Sequence, residues 1–391
     1  MKKLLLVSVF LIPFTNLIIF ASFTYSDSLF LVMFVVLLVS NRFQFHKRAS
    51  LYFFLLFLFL ASNVIATLFA VNHVEAIMRL VQYFYIFFII LPVFLILLKD
   101  EKDIKSILYT FYFSGICISL YTLVMFIFSP DVVSTVQGRV YSIYENPWIF
   151  SLLLIILLPL GIYFYNQSRN LKKVMNLLFL ALIIYMLVLA GARSSFVALA
   201  VILILNIVKK SGTYTKNIYM KCLLYISSLL VILLCLFKYK FFLSKIIFIM
   251  SFLSPVTGLK LTSLMEGNID PARTNIYMNG IESISNNFLF GIGPGNFSDL
   301  NGISMHNIFF SIWIESGLLA LVSVIIIYFI TMKELYLKRK VRKELIKVVV
   351  YLNLYHLIFM QLNPLLTARM FWFPMIIGII MANTQREGED I

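Results

Sequence analysis

Apolar runs of roughly 15–25 residues, separated by short polar or basic turns, fill most of the 391-residue chain. They are rich in Leu, Ile and Phe and do not alternate polar with apolar positions. A helix needs about 20 apolar residues to cross the ~30 Å hydrocarbon layer, whereas a membrane barrel strand shows a weaker two-residue period. The pattern therefore predicts an all-α polytopic integral membrane protein of about twelve transmembrane helices. They fall at 4–22, 28–40, 51–71, 76–98, 107–128, 148–165, 174–190, 195–208, 222–237, 306–331, 346–362 and 370–382. The second, eighth and twelfth are short, as tilted or partly re-entrant helices would be. The start, MKKLLLVSVFLIPF, has the look of a signal peptide, but no small-residue cleavage site follows, so it reads as an uncleaved first helix. The pattern predicts one multispan domain over 1–391, with a single large extramembrane loop at 238–305.

Composition agrees with the pattern. The chain is 62% hydrophobic and 13% charged, against about 45–50% and about 25% in soluble domains. The three cysteines, Cys117, Cys222 and Cys235, lie in or beside apolar runs at no metal-ligand spacing and read as small buried or lipid-facing residues. The net charge of +15 raises the question of nucleic acid, but the placement of the charges answers it. With the N-terminus in the cytoplasm, 23 of the 32 basic residues fall on cytoplasmic turns, including the dense KELYLKRKVRKELIK at 333–347. The excess is a topology signal and an attraction to anionic lipid headgroups; no nucleic-acid partner is expected. Both termini are then cytoplasmic, and 238–305 is periplasmic. Four arginines sit near span ends on that outer side, Arg79, Arg139, Arg193 and Arg369, and a fifth, Arg273, lies in the long loop. FKYKFFLSKIIFIMSFL, near the start of the loop, reads as an interfacial amphipathic segment.

The stretch GIGPGNFSDLNGISMHN, 291–307, stands out against this background. It is glycine-rich and polar, and could be a phosphate loop, a linker or part of an active site. Its G-x-G-x-G core lacks the strand and the Lys-Ser/Thr that nucleotide loops need; the glycines suit tight turns and close backbone approach to a helix end. His306 and Asn307 open the next span. Asn307 can cap that helix and His306 can lie in the interface, yet a helix start also favours anions and a histidine exchanges protons near neutral pH. Glu315 is a carboxylate inside an apolar run, where charge is costly and is usually paired or functional. Arg193, in LAGARSSFVAL, and Arg273, in DPARTNIYMNGIESI, can be surface arginines, or can grip a diphosphate through the planar guanidinium. His46, His73 and His356 have no evident partners and read as incidental. No carboxylate pair, Cys/His cluster or Ser-His-Asp order is present, and neither a metal nor another cofactor is expected.

ARTNIYMNGIESISNNFLFGIGPGNF followed by MHNIFFSIWIESGLLALV resembles the O-antigen polymerase and O-antigen ligase superfamily. That family has an arginine-led helix, an F-L-x-G-x-G turn ending in Phe, and a later H-N entering a helix with E-x-G. Gly291, Gly293 and Phe297 match the turn, and Gly295 adds a glycine; His306, Asn307, Glu315 and Gly317 match the second part. LAGARSSFVALAV is similar to the family's T-x-S-R helix start, with Arg193 in the arginine place, and departs from it before the arginine. YENPWIFSLLLIILLPLG at 144–161 and NPLLTARMFWFPMIIGII at 363–380 also have the family's look, so the resemblance runs over roughly 140–380. It implies a membrane glycosyltransferase that takes a glycan from undecaprenyl diphosphate on the outer face of the bacterial inner membrane. Arg193 and Arg273 are implied to hold the diphosphate, and His306 to activate or orient the acceptor hydroxyl, with Asn307, Gly293 and Glu315 as further substrate-binding residues. The implied partners are an undecaprenyl-diphosphate-linked oligosaccharide, an acceptor glycan or lipid A-core, membrane lipids and a chain-length regulator protein. Only 32 residues separate Arg273 from His306, and ligases of this family carry a longer insertion there, so polymerase is favoured over ligase. A lipid-linked-sugar transporter or flippase is the alternative of another class; it would be expected to show inverted repeats and broken helices with midplane charges.

Overall fold

The computed structural model describes residues 1–20, 23–41, 47–135, 139–144, 146–191, 271–302, 305–339, 343–361, 366 and 369–384. These residues are almost wholly helical. Six of the helices are long and apolar enough to cross a membrane. They include α3 (Lys47–Leu68), the stack formed by α4 (His73–Tyr85), a π-helical turn (Ile86–Ile90) and α5 (Leu91–Leu97), and α6 (Glu101–Phe128). The others are α8 (Pro147–Gln167), α9 (Asn170–Ala190) and α12 (Ile308–Lys338). Shorter helices complete the bundle: α1 (Lys2–Leu11), α2 (Tyr25–Val39), α7 (Pro130–Val133), α10 (Pro271–Asn286), α11 (Asn296–Asn301), α13 (Lys343–Met360) and α14 (Arg369–Asn383). The expected spans at 195–208 and 222–237 lie outside the described residues.

The first expected span is corrected. Residues 4–22 do not form one crossing helix: α1 ends at Leu11, Pro13 follows within two residues, and the chain turns into a small antiparallel pair, β1 (Ile18–Phe20) with β2 (Phe23–Thr24). Proline cannot donate to a continuing helix and restricts the residue before it. Ten residues of helix reach ~15 Å, about half the hydrocarbon thickness. The next helix, α2, starts from a capping box in which the Thr24 hydroxyl accepts from Asp27 N and the Asp27 carboxylate accepts from Thr24 N. The two helices pack against each other as a hairpin.

Named contacts define the two ends of the bundle. At the basic end, Lys2 pairs with Asp103 at 2.7 Å, and the buried Lys338 ammonium donates to the Thr384 carbonyl at 2.7 Å. Helix α13 packs there against α8 and α14. The starts of α6 and α13 therefore gather with the ends of α8, α12 and α14. Between the ends, small residues allow close helix packing. A side chain on Gly115 of α6 would strike Leu157 of α8, and one on Gly161 would strike Leu180 of α9. Phe111 and Phe373 stack at 4.1 Å, and the Phe87 and Trp372 rings meet edge-on at 4.9 Å.

Candidate active site

The end opposite the lysines is built from helix breaks. Helix α12 is 31 residues long, ~46 Å if straight, well beyond the hydrocarbon layer. It is interrupted at Gly317, whose φ of 82° and ψ of 175° are not helical. The break frees carbonyls on the preceding turn, and the glycine-rich stretch takes them. Ile292 N donates to Ile314 O and Gly293 N to Glu315 O, both at 2.9 Å, while Gly295 N donates to Glu315 Oε2 at 3.0 Å. Gly291, Gly293 and Gly295 all have positive φ; a Cβ on Gly291 would lie 2.6 Å from the Glu315 carbonyl. From the other side, Ser62 donates to the Ser316 carbonyl at 2.6 Å and Ser316 donates to Asn63 Oδ1 at 2.8 Å, so α3 clamps the same break.

The loop then docks on the start of α4. Asn296 is fully buried; its Oδ1 accepts from Asn72 N at 2.6 Å. Asn72 caps α4 through Glu75 N and donates from its side chain to Asp299 at 2.7 Å. Phe69 and Phe290 stack at 5.9 Å. The glycine stretch is thus a brace between two helix ends. Its amides at 291, 292, 293, 295 and 296 are already spent on protein acceptors, which leaves no phosphate cradle of the nucleotide-loop kind. Gly293 and Glu315 hold this brace. Glu315, only 7% exposed, belongs to the break.

Asn307 is the N-cap of α12: its Oδ1 accepts from Phe310 N at 3.2 Å, and its amide donates to Gln361 at 2.9 Å, tying the start of α12 to the end of α13. His306, half-buried beside it, meets the Trp148 ring edge-on with centroids 5.3 Å apart. On the other side of His306, buried Met305 packs with Ile276, Ile284, Phe297 and Ile314. Gly280 of α10 leaves room for the Met305 side chain. Arg273 stands in the first turn of α10, one turn before Ile276. The structure therefore joins the arginine-led helix, the glycine brace and the His-Asn helix start in one assembly. The side chain of Arg273 and all of Arg193 lie outside the described residues.

Sequence reasoning missed Asp27 and the use made of Arg369. Arg369, at the start of α14, donates from Nε to Asp27 Oδ1 at 2.7 Å and pairs through Nη2 with the second oxygen. Asp27 also accepts from Thr24, and its carbonyl accepts from the Tyr85 hydroxyl at 2.6 Å. The pair ties the start of α2 to the start of α14, each 15 residues long. Nearby, Tyr144 donates to Pro13 O at 2.7 Å, and burial pushes its phenol well above the usual range.

Two histidines read as incidental acquire partners. His356, fully buried, shares a 2.7 Å hydrogen bond with the Tyr328 hydroxyl and sets its ring against Phe371; His73 Nδ1 lies 3.0 Å from Thr67 O. Both bonds join residues the sequence cannot pair by spacing alone. His46 lies outside the described residues. Arg79 is bound to Glu75 at 2.6 Å, one turn away.

A bundle of membrane-length helices, with broken and capped helix ends gathered on one side, defines a polytopic α-helical membrane protein. Residues 178–325 match the family model described as O-antigen ligase, in keeping with a membrane enzyme of the O-antigen polymerase and ligase type. The match is narrower than the 140–380 read from motifs, and it encloses Arg193, Arg273, the glycine brace, His306, Asn307 and Glu315. No curated protein matches the chain.

Proposed function

We propose that the chain transfers a glycan from undecaprenyl diphosphate to a sugar hydroxyl at the non-basic end of the bundle, and that it is a surface-polysaccharide polymerase. The observation that carries this reading is the assembly of α10, the glycine brace and the start of α12. It holds His306 between Met305 and Asn307 and packs Ile276 and Ile284 of α10 into the same cluster as Met305. In the proposed step the acceptor oxygen bonds to the anomeric carbon while His306 takes the hydroxyl proton. The bond from that carbon to the phosphate oxygen breaks, and the electron pair leaves with undecaprenyl diphosphate. Arg193 and Arg273 neutralise the charge that develops there. The basic end faces the cytoplasm and the site the periplasm, in keeping with the distribution of lysine and arginine.

The segment from Arg273 to His306 favours polymerase. It is used up by α10, the brace and α11, which leaves little chain for seating a lipid A-core. Ligase is the second reading, favoured by the description of the matching family. Lipopolysaccharide from a deletion strain separates the two. Loss of a polymerase leaves single repeat units on lipid A-core, because a separate ligase still acts. Bare core with polymer accumulating on undecaprenyl diphosphate would make the chain a ligase, and an unchanged ladder would overturn both readings.

A further inference from the structure

We infer that Trp148 is a positioning residue for His306: its indole fixes the plane of the imidazole, so that a ring nitrogen is presented to the acceptor hydroxyl. The inference rests on the proposed role of His306 as the base. The two rings are nearly perpendicular, at 86°, with centroids 5.3 Å apart. Edge-to-face pairs of this kind are favourable beyond simple burial, which biases one ring orientation over its competitors.

The backbone on each side of the contact is already fixed. Met305 is 1% exposed and wedged under α10, and Asn307 is held as N-cap and by Gln361. The His306 ring itself meets the Trp148 indole, which limits its rotation. Trp148 lies in the first turn of α8, where Pro147 pre-sets the helix and the Asn146 side chain accepts from Trp148 N at 2.9 Å. That helix is the most enclosed of the six long ones. It is also sequence-remote from α12, so the contact exists only in the folded bundle. A base must reach the proton it removes at hydrogen-bond distance, and a misplacement of ~1 Å can cost on the order of 10²-fold in rate. The same ring could otherwise serve as a stacking platform for a sugar, and the two roles separate kinetically.

The test uses the full chain in detergent or vesicles, with the host's own lipid-diphosphate-linked repeat unit as donor and acceptor. Trp148→Ala is expected to lower kcat by about 10- to 100-fold at unchanged KM, and to displace the limb of the pH–rate profile that reports His306. Trp148→Phe, which keeps an aromatic edge, is expected to restore most of kcat and the wild-type profile. A raised KM at constant kcat would make Trp148 a sugar platform and overturn the inference, as would equal losses in the Ala and Phe variants. His306→Gln separates the two levels. If it is inactive while Trp148→Ala keeps its kcat and profile, positioning fails and the base reading stands. If His306→Gln turns over at the wild-type rate, the base reading fails and takes the inference with it. Should Trp148→Ala not accumulate in membranes, Trp148→Phe and Trp148→Leu give the same contrast.

Discussion

At the scale of single residues, the Asp27–Arg369 pair makes the sharpest energetic statement. The Asp27 side chain has no exposed area, and that of Arg369 keeps 15%. The residues lie 342 positions apart, and no periodicity links them. A buried pair is weak as a source of net stability, yet breaking it from one side strands a charge. Asp27→Ala is therefore expected to destabilise the protein by about 3–5 kcal/mol. The joint change Asp27→Leu with Arg369→Met is expected to recover most of that loss. Thermal unfolding in detergent reads both, and a double variant no more stable than Asp27→Ala would refute the account. The second prediction at this scale concerns Arg273. If it grips a diphosphate in two places, Arg273→Lys keeps the charge and loses the planar fork. Cells carrying it at normal protein level should then show short or absent polysaccharide; wild-type chain length would mean that charge alone suffices.

At the scale of elements, the glycine brace and the break in α12 form one device. A Cβ on Gly317 would collide with the Leu289 carbonyl, and Gly317 also has positive φ. Gly302 also has positive φ, but a Cβ there would meet nothing within 4 Å. Gly302, at φ 67° and ψ −5°, is left-handed helical, which costs a side chain on the order of 1–2 kcal/mol, whereas Gly317, at φ 82° and ψ 175°, lies in a region essentially closed to other residues and also meets the collision. Gly317→Ala should thus be markedly more destabilising than Gly302→Ala and should abolish activity, whereas Gly302→Ala should keep most of it. Equal melting temperatures for the two would show that the break is not under the constraint described. Much at this scale is legible in the sequence. Long unbroken apolar runs become helices because in lipid the backbone must satisfy itself, and α3, α6, α8 and α9 fall where the runs lie. Asn307 reads as a cap and acts as one. The first run misleads because Pro13 outweighs the hydropathy of its neighbours and turns a spanning length into a half-length hairpin. E-x-G in WIESGLL is visible as a motif, but only the fold shows that its glycine breaks the helix and that its glutamate closes the break.

At the scale of the whole molecule, what organises the chain is the contrast between its two ends. Lys2, Lys99, Lys102, Lys105, Lys172, Lys173, Lys333 and Lys338 lie on the turns or helix ends of one side. The described arginines of the other side are few, and two of them are spent on carboxylates, Arg79 on Glu75 and Arg369 on Asp27. The gathering of lysines on one set of turns was readable in the sequence because charge counts need no tertiary contact. The assembly of the site was not, because Trp148, His306 and Gln361 meet only through packing between remote helices. The asymmetry makes a physical prediction about orientation. Lysine and arginine near helix ends are retained on the cytoplasmic side during insertion, so the glycine brace and α11 should face away from the cytoplasm. Two exposed leucines report on the two ends: Leu300 in α11 and Leu171 at the start of α9. With the native cysteines replaced, Leu300→Cys should react with a membrane-impermeant maleimide once the outer membrane is opened. Leu171→Cys should react only after the inner membrane is breached as well. The reverse pattern would put the site on the cytoplasmic side. A lipid-diphosphate donor displayed at the outer face could not reach it there, and the proposed transfer reaction would fall with the topology.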